Sequence, residues 1–257
     1  MVFVDTHCHI DAEDFEPDRE LVLTRARRVG VEALVVPAVE AATWDRLLTV
    51  CTARPGLYPA LGLHPVYVDR HVEADLRSLE RRLGEVSALA VGEIGLDFYL
   101  HELDRQRQHV FFEAQLAIAR EAGLPVILHV RKAHDAVLAV LRRIRVRGGI
   151  AHAFNGSLQQ AGQYLDLGFR LGFGGMLTYE RSRRLRALAR ALPQEALVLE
   201  TDAPDLSGEG HRGERNSPEY LPEYAAALAA VREEPLETVA EYTTRNAREA
   251  LGIPGTH

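Results

Sequence analysis

The sequence contains few cysteines: only Cys8 and Cys51 occur among 257 residues. Two cysteines cannot build the disulfide framework that stabilises small secreted domains. A signal peptide is also absent, and no apolar run reaches the length of a transmembrane helix. We therefore expect a soluble protein of the cytoplasm that has no membrane partner.

Positive charge is also scarce, since 37 acidic residues outnumber 30 basic ones and give a formal net charge of -7. This balance argues against a protein that binds nucleic acid through a broad basic surface, so any polyanion must be held locally. The 47% hydrophobic content is sufficient for one large core, and we expect residues 1–257 to form a single domain.

Short apolar runs alternate with longer segments of helical period, which is typical of parallel βα units. The candidate strands are Val2–Asp5, Ala33–Pro37, Tyr58–Leu63, Ala88–Gly92, Val126–His129, Gly149–Ala153, Phe169–Phe173 and Leu197–Glu200. Eight strands in this alternation predict an α/β protein with a TIM-like (β/α)8 barrel.

Capping and breaking residues mark several helices between these strands. The predicted features are a first helix opened by Pro17 and Asp18, a helix over Asp104–Ala122, a helix capped by Ser157 and closed by Gly168, and two helices over Pro218–Gly252 divided near Pro235. The loop Ala203–Pro218 is long for a connection, and its length predicts a functional loop.

His7 and His9 are separated by one residue directly after the first strand. In an extended segment they point the same way and can bind one ion, whereas Cys8 points to the other face and is expected to be a buried hydrophobe. Such a pair alone is as often a packed or solvated feature as a metal site.

Further residues of metal-ligand type follow the other strands. They are His64, Glu93, His129, His152 and Asp202. In a (β/α)8 barrel the carboxyl ends of the strands gather on one face, where the active site is built. Any one of these histidines alone is more often a satisfied polar residue than a ligand, but their joint placement predicts a metal site at the carboxyl ends.

This donor set exceeds the needs of one tetrahedral ion and suits two ions that share a carboxylate. Glu93 is the expected bridge, and Asp202 is expected both to bind metal and to accept a proton from the attacking water. The role of Glu200 stays open. The remaining histidines, His71, His101, His109, His134, His211 and His257, are expected on the surface or in loops, with His134 as a possible exception.

The chain resembles the TatD-like metal-dependent hydrolases of the amidohydrolase superfamily from Val4 almost to its end. The matching motifs are Asp5-Thr6-His7-Cys8-His9, Gly62-Leu63-His64-Pro65, Gly92-Glu93-Ile94-Gly95-Leu96-Asp97, Pro125-Val126-Ile127-Leu128-His129-Val130-Arg131, His152-Ala153-Phe154-Asn155-Gly156-Ser157 and Glu200-Thr201-Asp202-Ala203-Pro204. Ala153 and Asn155 stand where the family commonly has cysteine and serine.

The resemblance implies a TIM-like barrel and a metal-dependent nuclease, chiefly a deoxyribonuclease that often acts as an exonuclease. The implied ligands are His7, His9, Glu93, His129, His152 and Asp202. His64 matches a family histidine that contacts substrate phosphate or a third ion. The expected cofactors are two divalent ions, with Zn, Mn, Mg, Fe and Ni all left open.

The leading hypothesis is hydrolysis of a phosphodiester in DNA or another nucleic acid by a metal-bound hydroxide. Arg131, Lys132, Arg215 and Asn216 are candidate substrate contacts, and ordinary surface solvation is an equal alternative for the basic residues. An ester or amide hydrolase, such as an acyl-nucleotide or aminoacyl-tRNA deacylase, fits the same site. A non-catalytic scaffold is the third reading. The sequence makes no prediction of oligomeric state.

Overall fold

An eight-stranded parallel sheet forms the centre of the computed structural model, which describes residues 1–254. The strands are β1 (Phe3–Asp5), β2 (Val31–Pro37), β3 (Leu57–Leu61), β4 (Ala90–Asp97), β5 (Val126–Arg131), β6 (Gly149–Ala151), β7 (Phe169–Phe173) and β8 (Leu197–Leu199). They lie in chain order, and each strand pairs with the next.

The sheet curves until its two edges meet. The backbone N–H of Thr6, just after β1, donates to the carbonyl of Leu199 in β8 at 3.0 Å. Asp202 N also donates to His7 O at 2.8 Å. The predicted TIM-like (β/α)8 barrel is thereby confirmed.

Nine α-helices of the described residues surround the sheet. They are α1 (Arg19–Arg28), α2 (Trp44–Thr52), α3 (Glu73–Glu85), α4 (Arg105–Glu121), α5 (His134–Arg143), α6 (Leu158–Asp166), α7 (Arg183–Ala191), α8 (Leu221–Arg232) and α9 (Leu236–Leu251). None of the helices within residues 1–254 has the length and apolar character needed to cross a membrane.

The helix ends follow the local chemistry of the sequence. The Asp104 carboxylate caps α4 by accepting from the N–H groups of Gln106 and Arg107. Ser157 and Gln160 form a capping box at the start of α6. Pro235 divides α8 from α9 as predicted.

Two apolar layers hold the barrel together. The inner layer contains small and branched residues from seven strands, among them Val4, Ala60 and Ile127, and it also contains Leu251 of α9 and Ile253. The outer layer packs the apolar faces of the helices against the sheet. The helix α9 lies against β1, β6, β7 and β8. Since its residue Leu251 joins the buried side chains of the inner layer, the interior of the barrel is a packed core and not a pore.

β4 is longer than predicted, and this changes the position of Glu93. The sequence placed Glu93 after the strand, but β4 continues to Asp97. The pairing of β4 with β5 shifts register between Val91 and Ile94. A bulge of this kind turns a side chain away from regular alternation, and Glu93 lies within it.

Candidate metal centre

The seven side chains that the sequence predicted at strand ends lie together at the carboxyl end of the barrel. His7 and His9 follow β1, His64 follows β3, Glu93 lies in β4, His129 lies in β5, His152 follows β6 and Asp202 follows β8. Glu93 is 2% exposed and lies between the imidazoles. Residues that are distant in sequence therefore converge on one buried carboxylate.

The two carboxylate oxygens of Glu93 face different donors. Oε2 lies 3.0 Å from His7 Nε2 and 3.7 Å from His9 Nε2. Oε1 lies 2.9 Å from His129 Nδ1 and 3.1 Å from His64 Nε2. A carboxylate placed in this way can be shared between two sets of ligands.

Three groups of donor atoms each lie within 4.8 Å of one another. They are His7 with Glu93 and His152, His7 with His9 and Asp202, and His64 with Glu93 and His129. His64, which the sequence predicted to bind substrate, therefore belongs to one of these donor groups.

The chemistry of these donors fits a divalent metal ion. His7 Nε2 and His9 Nε2 are 3.2 Å apart, and both approach Asp202 Oδ1, at 3.5 and 3.7 Å. Each group therefore directs imidazole nitrogens and carboxylate oxygens towards the same small volume. Mixed nitrogen and oxygen donors suit first-row divalent ions such as Zn, Mn, Fe and Ni.

Burial and charge set the protonation of this cluster. Burial alone favours a neutral Glu93, but His64, His7 and His152 hold the pKa of its carboxyl well below the usual range. Burial lowers the pKa of His64 to about 4, and burial also lowers the pKa of His7. An ionised carboxylate beside neutral imidazoles is the form that binds metal.

Excess negative charge favours a cation in the cluster. Burial opposes a charged His152, but Asp202, Glu93 and Glu200 raise the pKa of His152 to about 10. Burial raises the pKa of Asp202 to about 6. The carboxylates thus stabilise positive charge at the centre, whether a proton or a metal ion supplies it.

One buried carboxylate orients a ligand-type histidine and a second holds the backbone beside another, and neither role was predicted from the sequence. Asp97 Oδ2 accepts from His129 Nε2 at 3.1 Å. Asp5 accepts from Thr201 Oγ1 at 2.6 Å and from the N–H groups of Thr201 and His7. The sequence contained a signal for both residues. Asp97 lies four residues after Glu93 and Asp5 lies two residues before His7, so in an extended strand each points to the same face as that ligand-type residue.

Glu200, whose role the sequence left open, contacts the ring of His152. Its Oε1 lies 3.3 Å from His152 Nδ1 and accepts from Ala153 N at 2.6 Å. Gly172 makes room for this carboxylate, since a Cβ at that position would lie 2.0 Å from Glu200 Oε2. Glu200 follows β8, two strands from β6 in the sheet, and supports the centre from there.

Three residues beside the centre adopt left-handed backbone conformations although none of them is glycine. Their φ angles are 58° at Lys132, 44° at Ala153 and 58° at Asp202. Lys132 follows β5, Ala153 follows His152, and Asp202 is itself a candidate ligand. Such conformations cost free energy and concentrate at functional sites.

A cavity of about 990 Å³ opens over the cluster. The residues that line it include His129, His152, Asp202, Tyr99, Arg131, Lys132, Arg181, Arg183 and Arg184. Its volume is at the upper end of the range for small-molecule sites. The cavity therefore brings the donor cluster and several basic side chains into one space.

Three of the predicted substrate contacts do not line this cavity: His64 lies in the donor cluster, and Arg215 and Asn216 lie in the long loop. Arg215 donates to both carboxylate oxygens of Asp18, at 2.9 and 2.7 Å, and its guanidinium lies over Phe15. The same pair explains why Asp18 makes no side-chain cap to α1. Asn216 is fully buried, and its amide donates to the carbonyls of Thr201 and Asp205. Both residues therefore hold the long loop in place.

His71, which was expected on the surface or in a loop, is in fact buried, and His134, the possible exception, is buried as well. His71 Nε2 donates to His64 O at 2.9 Å. His134, the expected exception, is 8% exposed and contacts Asn155 Oδ1 and Tyr164 OH. His101 is exposed, His109 and His211 are half-buried, and His257 lies outside the described residues. Asn155 thus supports a cavity-lining histidine.

Comparison with known proteins agrees with this geometry. The family model described as TatD related DNase matches residues 4–252. The uncharacterized metal-dependent hydrolase YjjV of Escherichia coli strain K12 is 40% identical over 257 residues, with 98% of each chain covered. The crystal structure of YjjV, a TatD homologue from the same strain, gives a TM-score of 0.95 at 39% identity and 98% coverage of both chains. The 3'-5' ssDNA/RNA exonuclease TatD of Klebsiella pneumoniae is 33% identical, with 97% of each chain covered.

Proposed function

The chain belongs to the TatD related DNase family and is a metal-dependent hydrolase, and from this premise we propose that it is a nuclease that removes nucleotides from DNA by cleaving phosphodiester bonds. A relative named as a 3'-5' ssDNA/RNA exonuclease supports this choice of bond. The basic side chains that line the cavity support an anionic substrate.

The observation that carries the proposal is the position of Glu93 between two sets of donors. Oε2 faces His7 and His9, whereas Oε1 faces His129 and His64. We assign His7, His9, Glu93, His129, His152 and Asp202 as the residues that would hold two divalent ions, and Glu93 would contribute to both sets of donors. Bound divalent ions would activate water and offset charge on the phosphoryl oxygens.

The protein's own side chains have separate tasks in this proposal. Asp202 accepts the proton of the attacking water at a carboxylate oxygen, because it belongs to a donor group and also lines the cavity. Asp97 and Glu200 hold the rings of His129 and His152 in orientation. His64, in contact with Glu93 Oε1, binds substrate phosphate or a third ion.

Arg131 and Lys132 are the proposed contacts to the substrate phosphate. Both are exposed, both line the cavity, and they lie two and three residues after His129 along the chain. Arginine offers a planar pair of donors that matches a phosphate. We therefore assign them to the phosphodiester that is cleaved.

Activity assays with Asp202→Asn test the proposal. The purified protein with Mg²⁺, Mn²⁺ or Zn²⁺ should degrade single-stranded DNA oligonucleotides, and Asp202→Asn should lower the rate at least about 100-fold while the circular dichroism spectrum stays unchanged. Asp205→Asn is the matched control, because Asp205 lines the same cavity without belonging to a donor group.

Parallel assays on an acyl-nucleotide ester separate the proposed function from its alternative. Turnover of the ester without cleavage of oligonucleotides would replace the nuclease by an ester hydrolase that uses the same centre. Asp202→Asn with wild-type activity on DNA would overturn the role of Asp202.

A further inference from the structure

Five basic side chains line the cavity without a partner. They are Arg131, Lys132, Arg181, Arg183 and Arg184. Within residues 1–254, none of them forms an ion pair or a side-chain hydrogen bond, whereas arginines on the outer surface such as Arg46 and Arg190 pair with glutamates. In a chain of net charge -7, unpaired positive charge collected in one cavity favours an anionic ligand.

Three of these residues form a separate group, the arginine rim, which consists of Arg181, Arg183 and Arg184. The arginine rim lies at the beginning of α7, where the first turn contains no acidic residue. The amino end of a helix carries partial positive charge, so arginines there are unfavourable unless an anion is near. An anion bound at the arginine rim would offset the charge of the arginines and the partial charge of the helix end.

The arginine rim lies beside a buried histidine and an aromatic ring. Arg184 is close enough to His134 to contribute to the lowered pKa of that imidazole, for which burial is the largest cause. The guanidinium of Arg181 lies 4.9 Å from the centre of the Tyr179 ring, which restricts its position. The arginine rim thus borders the same space as His129, His152 and Asp202 but is a distinct part of its wall.

Tyr99 and Arg131 form another part of the wall. The Arg131 guanidinium lies 3.7 Å from the centre of the Tyr99 ring, and Tyr99 is 49% exposed. Exposed aromatic rings and guanidinium planes are surfaces on which nucleobases stack. A cavity whose wall contains candidate metal ligands, a stacking surface and an arginine rim suits a substrate longer than one nucleotide.

We propose that the arginine rim binds a phosphate group of the substrate other than the one being cleaved. The enzyme then requires at least two phosphates for efficient turnover, and it discriminates oligonucleotides from small diesters. This inference rests on the proposed nuclease function and adds a second site of substrate recognition to it. Arg131 and Lys132 bind the scissile phosphate, and the arginine rim binds its neighbour.

The double variant Arg183→Gln/Arg184→Gln tests the arginine rim by kinetics. On a single-stranded oligothymidylate of about ten nucleotides, kcat/KM should fall about 10- to 100-fold, since each lost contact to a charged phosphate weakens binding. On bis(p-nitrophenyl) phosphate, which has a single phosphate, kcat/KM should change less than about twofold.

The matched control is Arg28→Gln/Arg77→Gln. Both arginines are exposed residues on helices, α1 and α3, outside the cavity lining. The control removes the same charge, so it measures the effect of net charge alone. Equal losses of kcat/KM in the two double variants would show that the arginine rim binds no substrate phosphate.

A binding measurement without turnover separates this inference from the nuclease proposal. In EDTA, fluorescence anisotropy with a labelled oligothymidylate should show weaker binding by Arg183→Gln/Arg184→Gln than by the control. The slope of log affinity against log salt should become shallower by about 1.4, or about 0.7 for each lost contact to a single strand.

The outcomes are distinct. The rim variant could bind the oligonucleotide more weakly while the wild type cleaves nothing with any metal ion. That result would support phosphate binding by the arginine rim and reject nuclease activity. Cleavage by the wild type with unchanged binding and kinetics in the rim variant would keep the nuclease and reject the arginine rim. Wild-type protein that does not bind the oligonucleotide in EDTA would also reject it.

Discussion

Asp97 accepts a hydrogen bond from Nε2 of His129 at 3.1 Å, which leaves Nδ1 of that ring directed at the centre. The Asp97 carboxylate is itself fixed, because Oδ1 accepts from the N–H groups of Tyr99 and Leu100. Carboxylates that orient a histidine ligand in this way raise the affinity for metal.

Asp97→Ala should therefore weaken metal binding about 10- to 100-fold. Isothermal titration of the metal-depleted protein with Zn²⁺ or Mn²⁺ measures the change. Asp166→Asn, at an exposed position at the end of α6, should leave the affinity unaltered. Wild-type affinity in Asp97→Ala would show that Asp97 has no part in orienting His129.

Thr201→Val should destabilise the fold by about 1–3 kcal/mol, because it removes the 2.6 Å hydrogen bond to Asp5 and leaves a buried carboxylate poorly satisfied. Urea unfolding measures the change. Thr49→Val, on the exposed face of α2, should stay within about 0.5 kcal/mol of wild type. A loss no larger than that of Thr49→Val would contradict a structural role for the Asp5–Thr201 pair.

Glu234 gives a prediction for the dependence of stability on pH. Burial opposes its ionisation, but Arg232 and Gln194 outweigh burial and lower the pKa of Glu234 below 4.5. A depressed pKa in the folded state stabilises the protein above the unfolded value, and this contribution disappears as pH falls through the folded value. Glu234→Gln should thus lower the free energy of unfolding near neutral pH, with a difference from wild type that shrinks below about pH 4.5.

Urea unfolding of Glu234→Gln at a series of pH values checks this sign. The exposed Glu241 supplies the control variant Glu241→Gln, whose difference from wild type should vary little with pH. A Glu234→Gln difference that grows on acidification would refute the assignment.

Arg215→Gln distinguishes the structural role of Arg215 from the predicted role in substrate binding. Loss of its two bonds to Asp18 should lower stability by about 1 kcal/mol or less, as for other partly exposed pairs. KM for oligonucleotides should stay within about twofold of wild type, because a lost phosphate contact would cost more. A large rise in KM with unchanged stability would restore the prediction from sequence.

Local patterns account for much of the fold and of the site. The alternation of apolar runs with helical segments predicted the barrel, and the residues after each run predicted His7, His64 and Asp202 at one end of it. Parallel strands place their carboxyl ends together, so position along the chain was sufficient.

Other features depend on contacts that local patterns do not contain. Arg215 pairs with Asp18 across 197 positions, and nothing near Arg215 in sequence indicates that partner. The arginine rim was missed because only the packed barrel places the start of α7 beside the cavity. The bulge in β4, which places Glu93 inside the strand, arises from the register of two paired strands.

We propose that Glu93 joins two metal-binding groups in an enzyme that cleaves DNA. The most direct test is the rate at which metal-depleted protein, titrated with Mn²⁺, cleaves a labelled single-stranded oligonucleotide, compared between wild type and Glu93→Gln. We expect no cleavage before Mn²⁺ is added, a wild-type rate that saturates with bound ion, and a rate at least about 100-fold lower in Glu93→Gln. Cleavage without metal, or a Glu93→Gln variant as active as wild type, would contradict this proposal.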